Sequence, residues 1–542
     1  MTQIVVIGSG PSGVHLAKTL LDLGWAVTVL DVGHEQPPPV LPKADFEGLK
    51  RELRDPVSYF LGANGKGVVF PSADARYFAL PPSKDYVFSR PSGFETVTTN
   101  FDPLISFAAG GLAEAWTAGC YPMNAAELSA FPFDFASLEP HYAEIARRIG
   151  VAAARDDLER FTPWVGDYLE PLPPDPHTES LLAQYRKWRG WLQAKLGFFL
   201  GRSRVAMLTR DQGKRLACDR LGRCLWGCPR GSLYAPSGTL AEMRNQPGFR
   251  YVRDAFVTHF EYDGDRISAA VAVAADGSER RFSADAYALA AGTLCSSKIL
   301  LDTFYRRTGQ VHELSGLMDN SQLVIPFVTL RRLGKPVDTH SYQFHQLAVG
   351  IEQTRPEEYI HGQITTLKSA SVHPVAQSIP TDLRTALEIF RISHAALGAA
   401  NVWLPDRRRA DNVLTLRPRP GTAQTDLVVR FAEDARDRFD LPIRIMKRAL
   451  RRLGCVVPPG MTKRLPRGSS VHYAGTVPMQ RARQRFTCDP GCRSHDFRNL
   501  YLADGASFPF LPAKNLTFTL MANAVRVAQV VHRDLATPVL QQ

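Results

Sequence analysis

An α/β fold is what this sequence predicts, and two stretches at opposite ends of the chain predict it. At the amino end, Ile4-Val5-Val6-Ile7 is an apolar run of buried-strand type that enters Gly8-Ser9-Gly10-Pro11-Ser12-Gly13. Val14, Leu16, Ala17, Leu20 and Leu21 then recur at helical spacing, and Gly24 closes that helix. Ala26-Val27-Thr28-Val29-Leu30 is a second apolar run and ends in Asp31. At the carboxyl end, Leu500 to Leu502 reads as a short buried strand that stops at Asp504-Gly505. Leu516, Leu520, Met521, Ala524, Val527 and Ala528 follow at helical spacing, so Asn515 sits where a helix begins.

The amino-terminal order of strand, glycine turn, helix, strand and acid is that of a dinucleotide-binding unit. Glycines at 8, 10 and 13 permit a tight turn and let the backbone approach a pyrophosphate at the helix start. Asp31 is placed to accept hydrogen bonds from a ribose, which argues for FAD or NAD rather than NADP. At the other end a helix start again offers unpaired N–H groups. His472, in Ser469-Ser470-Val471-His472-Tyr473-Ala474-Gly475-Thr476, comes from a separate segment and can serve as a base beside a bound cofactor.

Together the two ends resemble the glucose-methanol-choline (GMC) family of flavin oxidoreductases. Gly110-Gly111-Leu112-Ala113-Glu114-Ala115-Trp116-Thr117 resembles the family's segment over the flavin. Ala255-Phe256-Val257 resembles its adenine-side strand, and Ala288 to Thr293, with Ala291-Gly292, its turn near the pyrophosphate. His472 to Thr476 matches its H-x-x-G-T motif, and Pro512 to Thr517 its closing segment, whose second catalytic position is His or Asn. The resemblance implies an FAD-binding, Rossmann-like domain assembled from residues 1–35, 95–125, 210–319 and 465–542. A discontinuous α+β substrate domain would then comprise 126–209 and 320–464, with 36–94 as an excursion or lid. It implies that Gly8, Ser9, Gly10, Ser12, Gly13, Asp31, Gly110, Gly111, Trp116, Val257, Ala291, Gly292, Asp504, Gly505, Asn515 and Thr517 contact FAD. His472 would take the hydroxyl proton of an alcohol, Asn515 would hold its oxygen, and the hydride would pass to the flavin N5. Trp116-Thr117 and Asn515 are most similar to the sugar-oxidising members, the pyranose oxidases and flavin glucose dehydrogenases, so a sugar or polyol is the expected substrate. Ala115 stands where pyranose oxidases carry the histidine that bonds to the flavin, which predicts a non-covalent cofactor. A non-redox lyase of the same fold and a nicotinamide-dependent dehydrogenase are the alternative readings. The second has no need of the carboxyl-terminal block.

Between the two ends, Phe131-Pro132-Phe133-Asp134 leads into a helix through Leu138, Tyr142, Ile145 and Ile149 that stops at Gly150. A second helical stretch lies near Leu181 to Leu196. Alternation from Tyr251 to Ala290 predicts a strand meander with turns at Asp263-Gly264 and Asp276-Gly277. Alternating runs at Leu323 to Leu330 and Leu414 to Phe431 are expected in the substrate domain. Residues 34–90, rich in Pro, Gly and Asp, with Pro37-Pro38-Pro39 and Pro81-Pro82, read as a loop of little regular structure.

Cys218, Cys224 and Cys228 cluster as C-x5-C-x3-C followed by proline. Thiolates so spaced can ligate an iron–sulfur cluster. The loop resembles the trinuclear [3Fe-4S] loop of some flavin glucose dehydrogenases, which would make it a relay to an external electron acceptor protein. It equally resembles the Gly-Cys-Pro turn that in other relatives only starts a helix. Cys488 and Cys492 are read as reduced thiols. The net charge of +12 is scattered arginine without interleaved aromatics, which argues against a nucleic-acid surface and reads as a solvated basic surface rather than a site for an acidic substrate or partner. No apolar run reaches the roughly 20 residues of a membrane span. The first strand leaves no room for an export signal, so the expected location is cytoplasmic.

Overall fold

The structure, a computed structural model, describes residues 2–37, 40–62, 65, 81–368, 376 and 379–536. The strand Gln3–Ile7 lies at the centre of a five-stranded parallel sheet, between Ala26–Leu30 and Ala286–Leu289. Phe249–Val252 and Leu500–Leu502 form its edges, so the two ends of the chain share one sheet. Its strands are apolar on both faces, as a parallel sheet covered on both sides requires. The helices Pro11–Asp22 and Thr517–Ala536 pack against each other. The meander of the sequence is present as the antiparallel strands Phe256–Asp263, Arg266–Val273 and Glu279–Phe282.

A second, antiparallel sheet is built on Ser321–Thr329, which pairs with Leu397–Leu404. Ile360–Thr366, Leu347–Ile351 and Phe198–Arg202 follow in order. Side chains alternate between its faces. Leu323, Ile325, Phe327, Ala400, Val402, Leu404, Ile360 and Ile364 point into an apolar core shared with the helices Pro176–Leu196 and Asp440–Arg452. The intervening residues put Gln322, Trp403 and His361 in one cross-strand row and Asn401 and Gln363 in the next. This polar face looks toward the dinucleotide unit.

Two stretches differ from expectation. The strands Val413–Pro418 and Thr425–Arg430, expected beside the substrate sheet, pair instead with Glu313–Ser315 and Thr96–Thr99. Leu414, Leu416, Leu427 and Val429 then join the core of the parallel sheet. The 36–94 excursion is more regular than its composition suggests, with helices Phe46–Glu52 and Pro56–Leu61. Its acids are caps rather than loop breakers: Asp45 accepts from the Gly48 N–H and Asp55 from the Ser58 N–H, and Pro56 opens its helix. Residues 38, 39, 63, 64 and 66–80 of this excursion lie outside the described residues. Among the described residues no helix is long and apolar enough to cross a membrane.

Candidate active site

A cavity of 510 Å³ runs from the glycine turn after the first strand to the polar face of the second sheet. The residues put forward for cofactor and catalysis line it, except Gly13 and Gly110, and so does His472; the three clustered cysteines do not. Gly8 has φ +96°, and a Cβ there would stand 2.7 Å from the Ala290 carbonyl oxygen. A Cβ on Gly13 would stand 1.9 Å from the Gly8 carbonyl oxygen, so this glycine serves the closeness of turn and helix rather than the cavity itself. At Gly10 a Cβ would meet nothing within 4 Å, because that position opens directly onto the cavity.

Asp31 closes this end. Its carboxylate accepts from the Ser9 hydroxyl and, at 3.1 Å, from the Tyr251 hydroxyl. Burial outweighs both bonds and lifts the carboxyl to about 7. Gly110 is held at one remove, its N–H donating to Ser9 Oγ at 3.1 Å. Asp504 accepts from the N–H groups of Gly292 (2.9 Å) and Ala506 (3.0 Å) and from Ser296 Oγ (2.6 Å), tying the turn after the last strand to the start of helix Thr293–Thr308. A bare glycine turn, a helix start and an acid at the next strand's end fit the adenosine and pyrophosphate of FAD. Tyr251 was not legible as part of this site.

His472 and Asn515 both line the other end. The His472 segment is fixed by Asp319, which accepts from the Gly468 N–H at 2.9 Å and from the Ser470 hydroxyl at 2.5 Å. Ser470 Oγ in turn accepts the His472 N–H at 3.1 Å. These bonds hold Val471, a β-branched residue, at φ +57°, a strained conformation that presents the next side chain to the cavity. Burial alone pulls the His472 imidazole down to about 4, so it is neutral at ordinary pH. Asn515 stands two residues before helix Thr517–Ala536. It is anchored by its neighbour Lys514, whose ammonium donates to the carbonyls of Pro122 and Phe161 at 2.7 Å and to Glu127 at 2.5 Å. Asn515 Oδ1 accepts from Gln363 Nε2, which leaves its own amide N–H groups to the cavity.

The sheet face over these two residues carries groups that motif reading missed, Gln322, Gln363, Asn401 and Trp403, and with His345 from the segment before strand Leu347–Ile351 they line the cavity. Gln322 Oε1, Trp403 Nε1 and His345 Nε2 are buried with no hydrogen-bond partner. Buried polar atoms of this kind are costly unless a ligand or water satisfies them.

The three cysteines of the loop lie beside the cavity rather than in it. Cys218, Cys224 and Cys228 are free, and among the described residues no group of three or more His, Cys, Asp or Glu side chains is arranged to hold a metal. Cys218 and Cys224 pack against an apolar cluster that includes Met207, Leu208, Tyr342 and Phe344. Burial raises the Cys218 thiol to about 11 and the Cys224 thiol further. The loop is instead spent on clasping the excursion. Arg223 donates to the Pro42 carbonyl at 2.8 Å, the Phe46 N–H to the Leu221 carbonyl at 3.0 Å, and the rings of Phe46, Tyr59 and Phe60 surround Trp226. The donor set as folded does not fit the [3Fe-4S] cluster expected from spacing.

Residues 368–524 match the family model of the GMC oxidoreductases. Paromamine 6′-oxidase of Streptomyces fradiae is 23% identical over 551 residues, covering 99% of this chain and 92% of that protein. C-glycoside 3-oxidase of Arthrobacter globiformis is 26% identical over 191 residues, 34% of each. Among solved structures, pyridoxine 4-oxidase from Mesorbium loti superposes with a TM-score of 0.60 at 14% identity, covering 98% of this chain and 99% of that one. Formate oxidase from Aspergillus oryzae superposes at 0.58 and 14% identity, with the same coverage.

Proposed function

We propose that this chain, a GMC oxidoreductase, uses FAD to oxidise an alcohol group of a sugar or other polyhydroxylated small molecule, with His472 as the proton acceptor. The observation that carries the reading is the facing of His472 and Asn515 across one cavity from a sheet face rich in amides. The unpartnered Gln322 Oε1, Trp403 Nε1 and His345 Nε2 offer an acceptor, a donor and a ring nitrogen to a ligand with several hydroxyls. The names of the relatives agree, since paromamine, C-glycosides and pyridoxine all carry hydroxyl groups on or beside a ring.

An alcohol hydroxyl is too weak an acid to ionise unaided, so a base must stand within hydrogen-bond reach. His472, neutral through burial, has that capacity. The Asn515 amide, turned by Gln363, would donate to the same oxygen and restrain it while the proton leaves. Gly8 to Ser12, Asp31 and the Asp504-Gly505 turn would hold FAD by non-covalent contacts, and Ala115 offers no nucleophile to bond it. FAD, when bound, would supply the acceptor of the hydride, which carries both electrons of the oxidation. The cysteine loop has no part in this reading, so electrons would leave for oxygen or for a diffusing carrier.

Anaerobic mixing of purified protein with a panel of sugars and simple alcohols tests the proposal. Bleaching of a flavin spectrum by hydroxylated rings is the expected result. A flavin that stays oxidised while product forms would mean a lyase, and a protein purified without flavin absorbance would favour a nicotinamide enzyme. Peroxide formation on admitting air separates an oxidase from a dehydrogenase.

A further inference from the structure

His472 Nδ1 lies 3.0 Å from Asn320 Oδ1, a contact that by itself leaves the histidine tautomer open. The other end of the Asn320 side chain closes the question. Its Nδ2 donates to the Leu404 carbonyl at 2.9 Å and to the Pro512 carbonyl at 3.0 Å. An amide nitrogen has two hydrogens, and both are used. Turning the amide over would set its oxygen against two carbonyl oxygens in a site where Asn320 is 1% exposed. The oxygen therefore faces His472, and only a protonated Nδ1 can satisfy it. The second ring nitrogen, Nε2, has no hydrogen-bond partner among the described residues, and the ring lines the cavity.

We infer that Asn320 is a positioning residue that holds His472 as its Nδ1–H tautomer, so that Nε2 presents a lone pair to the cavity. The inference deepens the proposed function and rests on it for its catalytic meaning. Asn320 also joins three separate parts of the site. It follows Asp319, which shapes the His472 segment, and it bonds the end of strand Leu397–Leu404 and the Pro512 carbonyl just ahead of Asn515. One amide thus fixes both the protonation geometry of the histidine and its place relative to the Asn515 segment, the role that outer partners of a catalytic imidazole play in general.

The test reads the tautomer directly. Holoenzyme labelled with ¹⁵N-histidine, compared with its His472→Asn variant for assignment, should give a His472 signal with a protonated Nδ1 and an unprotonated Nε2 in two-bond ¹H–¹⁵N correlations. In Asn320→Ala the same signal should move toward the Nε2–H form or a mixture. Flavin reduction should then slow by about 10- to 10²-fold with little change in KM. A wild-type spectrum showing Nε2–H would overturn the inference, even if the variant fails to fold. So would an Asn320→Ala protein that keeps the Nδ1–H signal and the normal rate. Should the tautomer be as inferred while His472→Ala still reduces its flavin normally, the inference about Asn320 stands and the reading of His472 as base falls.

Discussion

Replacing Gly119 by alanine adds one carbon beside the two amides at the reacting end of the cavity. Gly119 lines that cavity, and a Cβ there would stand 2.8 Å from Asn515 Oδ1 and 2.9 Å from Gln363 Nε2. Ordinary contact starts at 3.4 Å, so each amide must retreat by about half an ångström. Both are ends of side chains that can yield, and Gly119 has no positive φ to strain, so the fold should tolerate the change. The cost should fall on geometry: displacement by 1 Å can reduce a positioned reaction about 10²-fold, and half of that points to about a 10-fold loss. Stopped-flow reduction of the enzyme-bound flavin by alcohol, without oxygen, measures it, with flavin content and melting temperature as controls for intact protein. Reduction at the wild-type rate would show that the placement of the Asn515 amide plays no part in the chemistry.

The other expectations are simpler. His472→Ala should keep FAD and lose about 10²- to 10⁴-fold in flavin reduction, the range for removing a positioned base, and near-normal reduction would take it out of the mechanism. Gly10→Val should put a side chain into the open part of the cavity, so the protein should purify folded but without flavin, as its absorbance ratio and circular dichroism would report. Acid should destabilise the fold early. His15, His141, His177, His259, His345 and His472 are held by burial at about 3 or 4 against an ordinary 6.5. As pH falls from 6.5 toward 4, the unfolded chain takes up protons that the folded chain refuses, and stability drops. Asp31 and Asp319, raised to about 7 by burial, act in the opposite sense, as do Glu114, Glu127, Asp156, Asp406, Asp496 and Asp504. These eight carboxyls are outnumbered only by the ten histidines counted once His34, His312, His361 and His394, also lowered, are added. A melting temperature that rises through this window would contradict the balance.

How much of this was legible in the sequence follows the range over which each constraint acts. The glycine turn is a local device: the atom that forbids a Cβ on Gly13 belongs to Gly8, five residues away, so spacing alone carries the information. The strand at Leu500–Leu502 was readable for the same reason, although its place beside Ala286–Leu289 was not. The polar wall of the substrate end has no such local signature. Gln322 and Trp403 are 81 positions apart and become neighbours through the register of two strands; alternation in Leu323 to Leu330 shows that one face is apolar but not what the other face confronts. Asn320 is more hidden still, because its meaning lies in three partners at 404, 472 and 512.

The cysteines fail in the converse way. Spacing within a loop bounds how closely thiols can approach, but whether they do depends on what else the loop must hold. Here Arg223, Leu221 and Trp226, lying between those cysteines, are engaged by Pro42, Phe46, Tyr59 and Phe60. Leu225 is bound to Gln343 at 2.8 Å. A loop pinned at four of its residues to two other segments places its thiols as those contacts require, and among the described residues they form no group that could hold a metal. Motif spacing is therefore informative where the backbone itself makes the site, as at Gly8 to Gly13. It is weakest where side chains must converge and the chain between them already has other partners.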